Sequence, residues 1–195
     1  MKYLFVIAMQ KESKEIINHY GLKKVDENYY KNGNKELIIT DISRNGITNS
    51  LINLLYKYKL NYKDYVMINI GMVGSNNLPI ESIVGIDKSY GYHFDLTPFN
   101  DPLYHAPFSP FQMEKIEEIK QVNCYTSDGF VLKTDIKEDV VFDMELNSIV
   151  VFPFKKHYSI KIVSDSLSNC EYNNFDYNDA IKKVFKITDK IMQDK

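Results

Sequence analysis

Short apolar runs recur along the chain, and several are apolar at every position instead of at every second one. The clearest is Tyr65–Gly71, which carries one polar side chain, Asn69. Strands of this composition are typical of a sheet that helices cover on both faces. Segments with apolar residues at helical spacing, such as Thr48–Tyr58, separate these runs. The alternation predicts an α/β fold with a central sheet between layers of helices.

The boundaries of the predicted elements follow from local residue preferences. Gly21 directly follows a helix predicted over Lys11–Tyr20, where glycine favours a helix end. The other predicted helices are Thr48–Tyr58, Glu145–Phe152 and Asn178–Met192, with a turn at Arg44–Gly46. The predicted strands are Tyr3–Ala8, Glu36–Asp41, Tyr65–Gly71, Ser82–Asp87, Val122–Thr126, Val140–Phe142 and Ser159–Val163.

Length and composition narrow the class of protein. The 195 residues predict a single domain spanning 1–195. Hydrophobic residues make up 44% and charged residues 26%, which is ordinary for a globular chain and excludes intrinsic disorder. The net charge of −2 and pI of about 6.1 argue against binding to nucleic acid.

The sequence predicts neither a membrane segment nor a bound cofactor. The apolar run at the N-terminus ends at Gln10 without a cleavage site for a signal peptidase, so we expect a cytoplasmic protein. Cys124 and Cys170 lack zinc-ligand spacing and are expected to be free thiols. The four histidines are scattered, so no metal site is predicted.

Glycines and acids stand at the predicted strand ends, where α/β sheets bind ligands. Gly71-Met72-Val73-Gly74 would let a ligand approach the backbone, or it could be a tight turn that packing requires. Asp143 and Glu145 end another apolar run, where a helix cap would account for one of them. Ser164-Asp165 could likewise cap a following helix. Glu12 and Asp128 also follow predicted strands.

These segments together resemble one enzyme family. They occur in the order Met1–Glu12, Ile68–Gly74, Ile83-Val84 followed by Asp95–Phe99, Ser127–Val131, Asp143-Met144-Glu145, and Ser164-Asp165. That order is similar to the 5′-methylthioadenosine/S-adenosylhomocysteine nucleosidases of the nucleoside phosphorylase superfamily, nearly end to end. The resemblance implies a three-layer αβα fold of the phosphorylase/hydrolase type, with a central mixed β-sheet flanked by helices.

The resemblance implies a role for each acid. Asp165 would be the general acid that protonates the purine ring nitrogen N7 as the glycosidic bond breaks. Glu12 would hold and deprotonate the attacking water. Glu145 would bind the two ribose hydroxyls, helped by the backbone of Met144. Breaking an N-glycosidic bond builds positive charge on the sugar and negative charge on the base, so a proton donor and anionic groups are what the reaction needs.

The resemblance also implies the residues that hold the substrate. Phe130 would stack on the base, and the backbone of Val131 would read the adenine edge. Met9 and Phe99 would line the apolar pocket for the 5′ substituent, which in the family the second subunit of a homodimer helps to complete. Gly71 would bring the backbone close to the ligand, and no cofactor or metal would be needed.

Some positions depart from the family pattern. Where the family has a serine after the first glycine of the G-x-x-G segment, this chain has Met72. Where the family usually has an arginine four residues before its catalytic Asp, this chain has Lys161. Asn69 stands where the superfamily's phosphorylases carry an arginine for phosphate, and Glu12 places a carboxylate where phosphate would need cations. Water is therefore the favoured nucleophile.

Three further interpretations stay open at this level. The substrate could be another purine nucleoside, futalosine-like or inosine-like. The chain could be a catalytically weakened nucleoside-binding protein, since Met72 and Lys161 replace polar groups of the family, or an unrelated flavodoxin-like domain.

The aromatic-rich region Tyr90–Phe111 could form a homodimer interface or a self-packed loop.

Overall fold

A computed structural model describes residues 1–92, 110–168 and 175–193. Within these ranges, ten strands form one mixed sheet and four α-helices pack on it. The strands are β1 (Lys2–Ile7), β2 (Lys23–Asp26), β3 (Tyr29–Asn32), β4 (Lys35–Ile39), β5 (Tyr65–Ser75), β6 (Ile83–Gly91), β7 (Phe111–Gln112), β8 (Lys120–Thr126), β9 (Val140–Asp143) and β10 (Lys156–Ser166). The helices are α1 (Gln10–His19), α2 (Arg44–Tyr58), α3 (Leu146–Ile149) and α4 (Tyr177–Gln193), with a short 3₁₀-helix at Tyr62–Asp64.

The long strand β5 organises the sheet. It pairs in parallel with β10 along one edge and with β1 along the first half of the other. The path β10–β6–β8–β9 leads back to β5, so these five strands close on themselves. Beyond β1, the strands β4, β3 and β2 extend the sheet outward. Those strands of this closed group that end beside β5 therefore place the loops that follow them in one region.

Two helical layers cover the sheet, as the apolar strands predict. Alternate residues of β1 point to opposite faces: Phe5 packs in the cluster that includes Ile16 of α1 and Ile181 of α4, and Leu4 packs in the cluster that includes Leu51 of α2. The three-layer αβα fold with a mixed sheet is therefore confirmed. None of the helices in the described ranges is long and apolar enough to cross a membrane.

Several boundaries predicted from sequence were wrong. Gly71–Gly74 is not a turn, because β5 continues through it to Ser75. Arg44–Gly46 is the first turn of α2 and not a loop, and the helix is capped by the Ser43 hydroxyl, which accepts a hydrogen bond from Gly46 N–H. Ser164-Asp165 lies inside β10 and caps none of the helices in the described part of the chain.

The hairpin of β2 and β3 was missed. Its sequence is rich in charged residues because β2 is the last strand of the sheet and is largely exposed, so no apolar pattern marks it. The glycine predicted to end α1 is at the expected place, with Gly21 at a φ of 58°. Phe99, Cys170 and most of the predicted interface region lie outside the described residues.

The packing of α2 on the sheet can be tested with two neighbouring residues. Leu51 is fully buried, whereas Ile52 is 39% exposed. We expect Leu51→Ala to lower the free energy of unfolding by about 2–5 kcal/mol, since it leaves a cavity in the core. Urea denaturation of both variants should show a clearly smaller loss for Ile52→Ala. Equal losses would mean that α2 does not pack as described.

Candidate functional site

A break in strand pairing opens a cavity at the centre of the sheet. The pairing of β5 with β1 ends at Asn69, and its pairing with β9 on the same edge begins at Gly74. Between them β5 borders a cavity of about 200 Å³. Strands that diverge from a common neighbour are where α/β sheets place ligands, because the loops leave space there.

Glu12 fills the gap in the pairing from the β1 side. Its Oε1 accepts a hydrogen bond from Met72 N–H at 3.1 Å, and its Oε2 accepts one from Met9 N–H at 3.1 Å. The second bond belongs to a capping box at the start of α1. The side chain is 1% exposed, and burial raises its pKa, although the two N–H donors and the charge of Lys161 oppose that rise. The carboxyl group therefore stands fixed at the cavity wall.

A buried ion pair forms part of the cavity wall. Lys161 of β10 donates to Oδ2 of Asp143 at 2.8 Å, and both side chains are almost completely buried. Asp143 also accepts from the Thr126 hydroxyl at 2.6 Å and from Leu146 N–H at 3.0 Å. Burial opposes its ionisation, but Lys161 and these donors lower its pKa below the ordinary value. Asp143 thus accepts the first N–H of α3 and is also the counter-ion of Lys161.

Glu145 stands one residue before α3 and faces the same cavity. Its Oε1 accepts from Ser43 N–H at 3.4 Å, and its Oε2 accepts from Met144 N–H at 3.2 Å. Burial, followed by the negative charge of Asp143, raises its pKa to about 7. Ser43 has a φ of 99°, a backbone conformation that is costly for a residue with a Cβ. The strained residue is therefore the one whose N–H binds Glu145.

Asp165 enters the cavity from β10 at an irregularity in the strand. The register between β10 and β5 shifts between Val163 and Asp165. A Cβ on Gly74 would lie 2.9 Å from Oδ1 of Asp165, so only glycine leaves the carboxyl group its place. The Ser164 hydroxyl donates to Oδ2 at 2.9 Å. Burial raises the pKa of Asp165, and the Ser164 hydrogen bond opposes that rise.

The structure brings together the site residues predicted from sequence. Those within the described ranges all line the one cavity: Met9, Glu12, Gly71, Met72, Phe130, Val131, Met144, Glu145, Lys161 and Asp165. Phe130 is at the rim, with its side chain 73% exposed. Phe99 falls outside the described residues. Asp128 does not line the cavity; it lies beside Arg44.

Several residues that shape the cavity were not among the site residues predicted from sequence. Asp143 lines it, and its position at the end of an apolar strand was a usable signal. Ile42 and Leu167 also line it, but an isolated apolar residue in a loop carries no sequence signal. Ser43 contributes only a backbone N–H, which any residue could supply. Within the described ranges, no group of three or more His, Cys, Asp or Glu side chains could hold a metal ion.

Solved structures share this architecture. No family model and no curated protein matches the sequence. A protein of Borrelia burgdorferi described as a 5′-methylthioadenosine/S-adenosylhomocysteine nucleosidase, bound to adenine, superposes with a TM-score of 0.79 at 22% identity, covering 95% of this chain and 98% of that one. A mutant of the corresponding Helicobacter pylori nucleosidase with 5′-methylthioadenosine in its active site gives 0.78 at 16% identity, covering 97% and 98%. A mutant of the H. pylori futalosine hydrolase gives 0.76 at 17% identity, covering 97% and 100%.

The buried ion pair should contribute strongly to stability. We expect Lys161→Met to lower the free energy of unfolding by about 3–5 kcal/mol, because it leaves Asp143 buried without its counter-ion. The double variant Lys161→Met/Asp143→Asn should regain part of this loss. Lys120→Met is the matched control, since Lys120 pairs with Asp139 on the surface and should change little. A loss in Lys161→Met no larger than in the control would contradict the pairing.

The raised pKa of Glu145 predicts a pH dependence of stability. The ordinary value is 4.5 and the value in the folded chain is about 7. Between these values the folded state binds more protons than the unfolded state, so the free energy of unfolding falls as pH rises from about 5 to about 8. Glu145→Gln removes this contribution and should lose less stability over that range, as urea denaturation at both pH values would show. Parallel losses in the two proteins would argue against a raised pKa.

Proposed function

We propose that this chain hydrolyses the N-glycosidic bond of a purine nucleoside. The observation that carries the proposal is the convergence of three acids on one cavity. Glu12, Glu145 and Asp165 come from three distant parts of the chain, and each lines the hollow beside β5. The structural similarity to nucleosidases covers nearly the whole chain and supports the same conclusion.

Asp165 is the proposed general acid. Cleavage leaves electrons on the purine, and protonation at N7 turns the base into a good leaving group. Burial raises the pKa of Asp165, which favours the protonated form that an acid needs before the bond breaks. Ser164 donates to one carboxyl oxygen, which leaves Oδ1, the oxygen beside Gly74, as the one to face the base.

Glu12 is the proposed base that holds and deprotonates the attacking water. Its two oxygens accept from Met9 and Met72 backbone N–H groups, and each keeps a lone pair for water. A carboxylate whose pKa burial has raised is a stronger base than an exposed one. The family's hydroxyl neighbour is Met72 here, so the water would depend on Glu12 more than it does in the family.

The remaining residues are proposed to hold the substrate. Glu145 would accept hydrogen bonds from the ribose hydroxyls, beside the backbone of Met144. Phe130 would lie on the purine ring, with the backbone of Val131 at its edge. Met9 and Phe99 would contact the 5′ substituent.

Hydrolysis is favoured over phosphorolysis by the charges at the cavity. Among its described lining residues, Lys161 is the single cation, and its charge is directly paired with Asp143. A phosphate would instead meet Glu12, and two negative charges a few ångströms apart repel by more than about 1 kcal/mol at an effective ε of about 20. Water carries no such penalty.

The proposed substrate is 5′-methylthioadenosine or S-adenosylhomocysteine, with release of adenine. A futalosine-like or inosine-like nucleoside is the alternative, favoured by the similarity to futalosine hydrolase. Release of adenine and of reducing sugar from a panel of nucleosides separates them. Binding without turnover over hours would instead select a nucleoside-binding protein. A cytoplasmic location and a homodimer remain predictions.

The assignment of the acid can be tested with two conservative variants. Asp165→Asn keeps the shape of the side chain but removes the proton donor, so we expect adenine release from 5′-methylthioadenosine to fall by a factor of about 10² or more. Asp64→Asn is the control, because Asp64 directly precedes the first residue of β5, whereas the cavity is lined by residues 69–74 of that strand. Equal rates for Asp165→Asn and the wild type would rule out Asp165 as the acid.

The choice of nucleophile has its own test. We expect the rate of adenine release to be unaffected by inorganic phosphate and the sugar product to carry a free anomeric hydroxyl, because the cavity presents a carboxylate to the nucleophile. Product analysis with and without phosphate measures this. A phosphorylated sugar would identify a phosphorylase.

A further inference from the structure

The chain contains a single arginine, and it lies beside the proposed base-binding segment. Arg44 is the first residue of α2, directly after Ser43, whose N–H binds Glu145. Its Nη2 donates to the carbonyl oxygen of Thr126, the last residue of β8. Its Nε lies 3.3 Å from Oδ1 of Asp128, an ion pair whose N–H is not aligned for a hydrogen bond. One guanidinium group thus contacts two residues that are two positions apart in the chain.

The segment that Arg44 holds leads directly to the cavity. Thr126 is anchored on its other side, because its hydroxyl donates to Asp143 and its carbonyl also accepts from Tyr92 N–H at 2.8 Å. After Asp128 the chain continues through Gly129 to Phe130, both of which line the cavity. Phe130 is 73% exposed, so packing alone does not fix its ring. The position of the ring therefore depends on how the residues before it are anchored.

An arginine suits this position better than a lysine. Its planar group presents several N–H donors in fixed directions, so one side chain can reach a carbonyl and a carboxylate together. A lysine ammonium is a point charge that would satisfy one of them. Because the other cations of this chain are lysines, the placement of its one guanidinium here marks a geometric requirement.

We propose that Arg44 is a positioning residue for the base: it fixes the segment from Thr126 to Phe130 so that the aromatic ring stands ready over the cavity. This rests on the proposed function for the identity of the ligand, but the ordering of Phe130 does not. Arg44 does not line the cavity. Its loss should therefore weaken binding of the purine and raise KM, while kcat, which depends on Asp165 and Glu12, changes little.

The ordering can be measured without any ligand. The chain has no tryptophan, so Phe130→Trp introduces a single tryptophan at the rim, which can be excited selectively over the tyrosines. We expect Arg44→Lys in this background to lower the fluorescence anisotropy and to increase quenching by acrylamide, because the segment gains freedom. Lys57→Gln is the control, since Lys57 pairs with Asp26 at the far end of the same helix. Unchanged anisotropy in Arg44→Lys would overturn the proposal.

The effect on binding is tested with adenine and 5′-methylthioadenosine. We expect Arg44→Lys to weaken adenine binding about tenfold, a part of what base stacking on an aromatic ring contributes. If Arg44 acts through Phe130, the double variant Arg44→Lys/Phe130→Ala should bind no more weakly than Phe130→Ala alone. Additive losses, or a fall in kcat with KM unchanged, would refute the proposal.

A second variant covers the case in which substitution of Arg44 unfolds the protein. Asp128→Asn breaks the ion pair from the exposed side and keeps the Thr126 contact, so it should give a smaller change in the same direction. If the wild type neither binds adenine nor cleaves nucleosides, the proposed function fails. The anisotropy of the Phe130→Trp proteins still decides whether Arg44 orders the segment.

Discussion

The candidate site depends on how β5 pairs with two different strands along one of its edges. β5 pairs with β1 up to Asn69 and with β9 from Gly74, and the backbone between them would be buried without a strand partner on that side. A buried N–H without a hydrogen bond is costly. The Glu12 carboxylate accepts from Met72 N–H in this interval, so a requirement of the sheet places an acid at the cavity wall. The same divergence of strands creates the space that a ligand would enter.

The acids around this cavity differ in pKa because their electrostatic surroundings differ. The charge of Lys161 is committed to Asp143 by direct contact, and Asp143 has a lowered pKa despite complete burial. Glu12, Glu145 and Asp165 have no such direct cationic contact among the described residues, so burial governs them and their pKa values rise. Asp143 is thereby held as an ionised counter-ion, whereas burial favours proton uptake by the other three carboxyl groups.

Much of this arrangement could be predicted from particular residues. The apolar strand Tyr65–Gly71 predicted a sheet covered on both faces, and the resemblance to a nucleosidase family implied which acidic side chains would meet at one site. Local composition was misleading at two positions. Arg44–Gly46 has the composition of a turn but forms the start of α2 under the Ser43 cap. Ser164-Asp165 has the composition of a helix cap but lies in β10, because that strand continues beside β5.

By itself the sequence determined the layers of the fold and the set of chemically capable residues, because burial of apolar strands and the identity of acids are properties of the residues themselves. Only the tertiary structure decided the charge states and the partners. Asp143 is ionised because Lys161 reaches it across the sheet, and Arg44 matters because the end of β8 lies within reach of its guanidinium group. Such contacts join residues far apart in the chain, and the distance between them is set by how the strands pair.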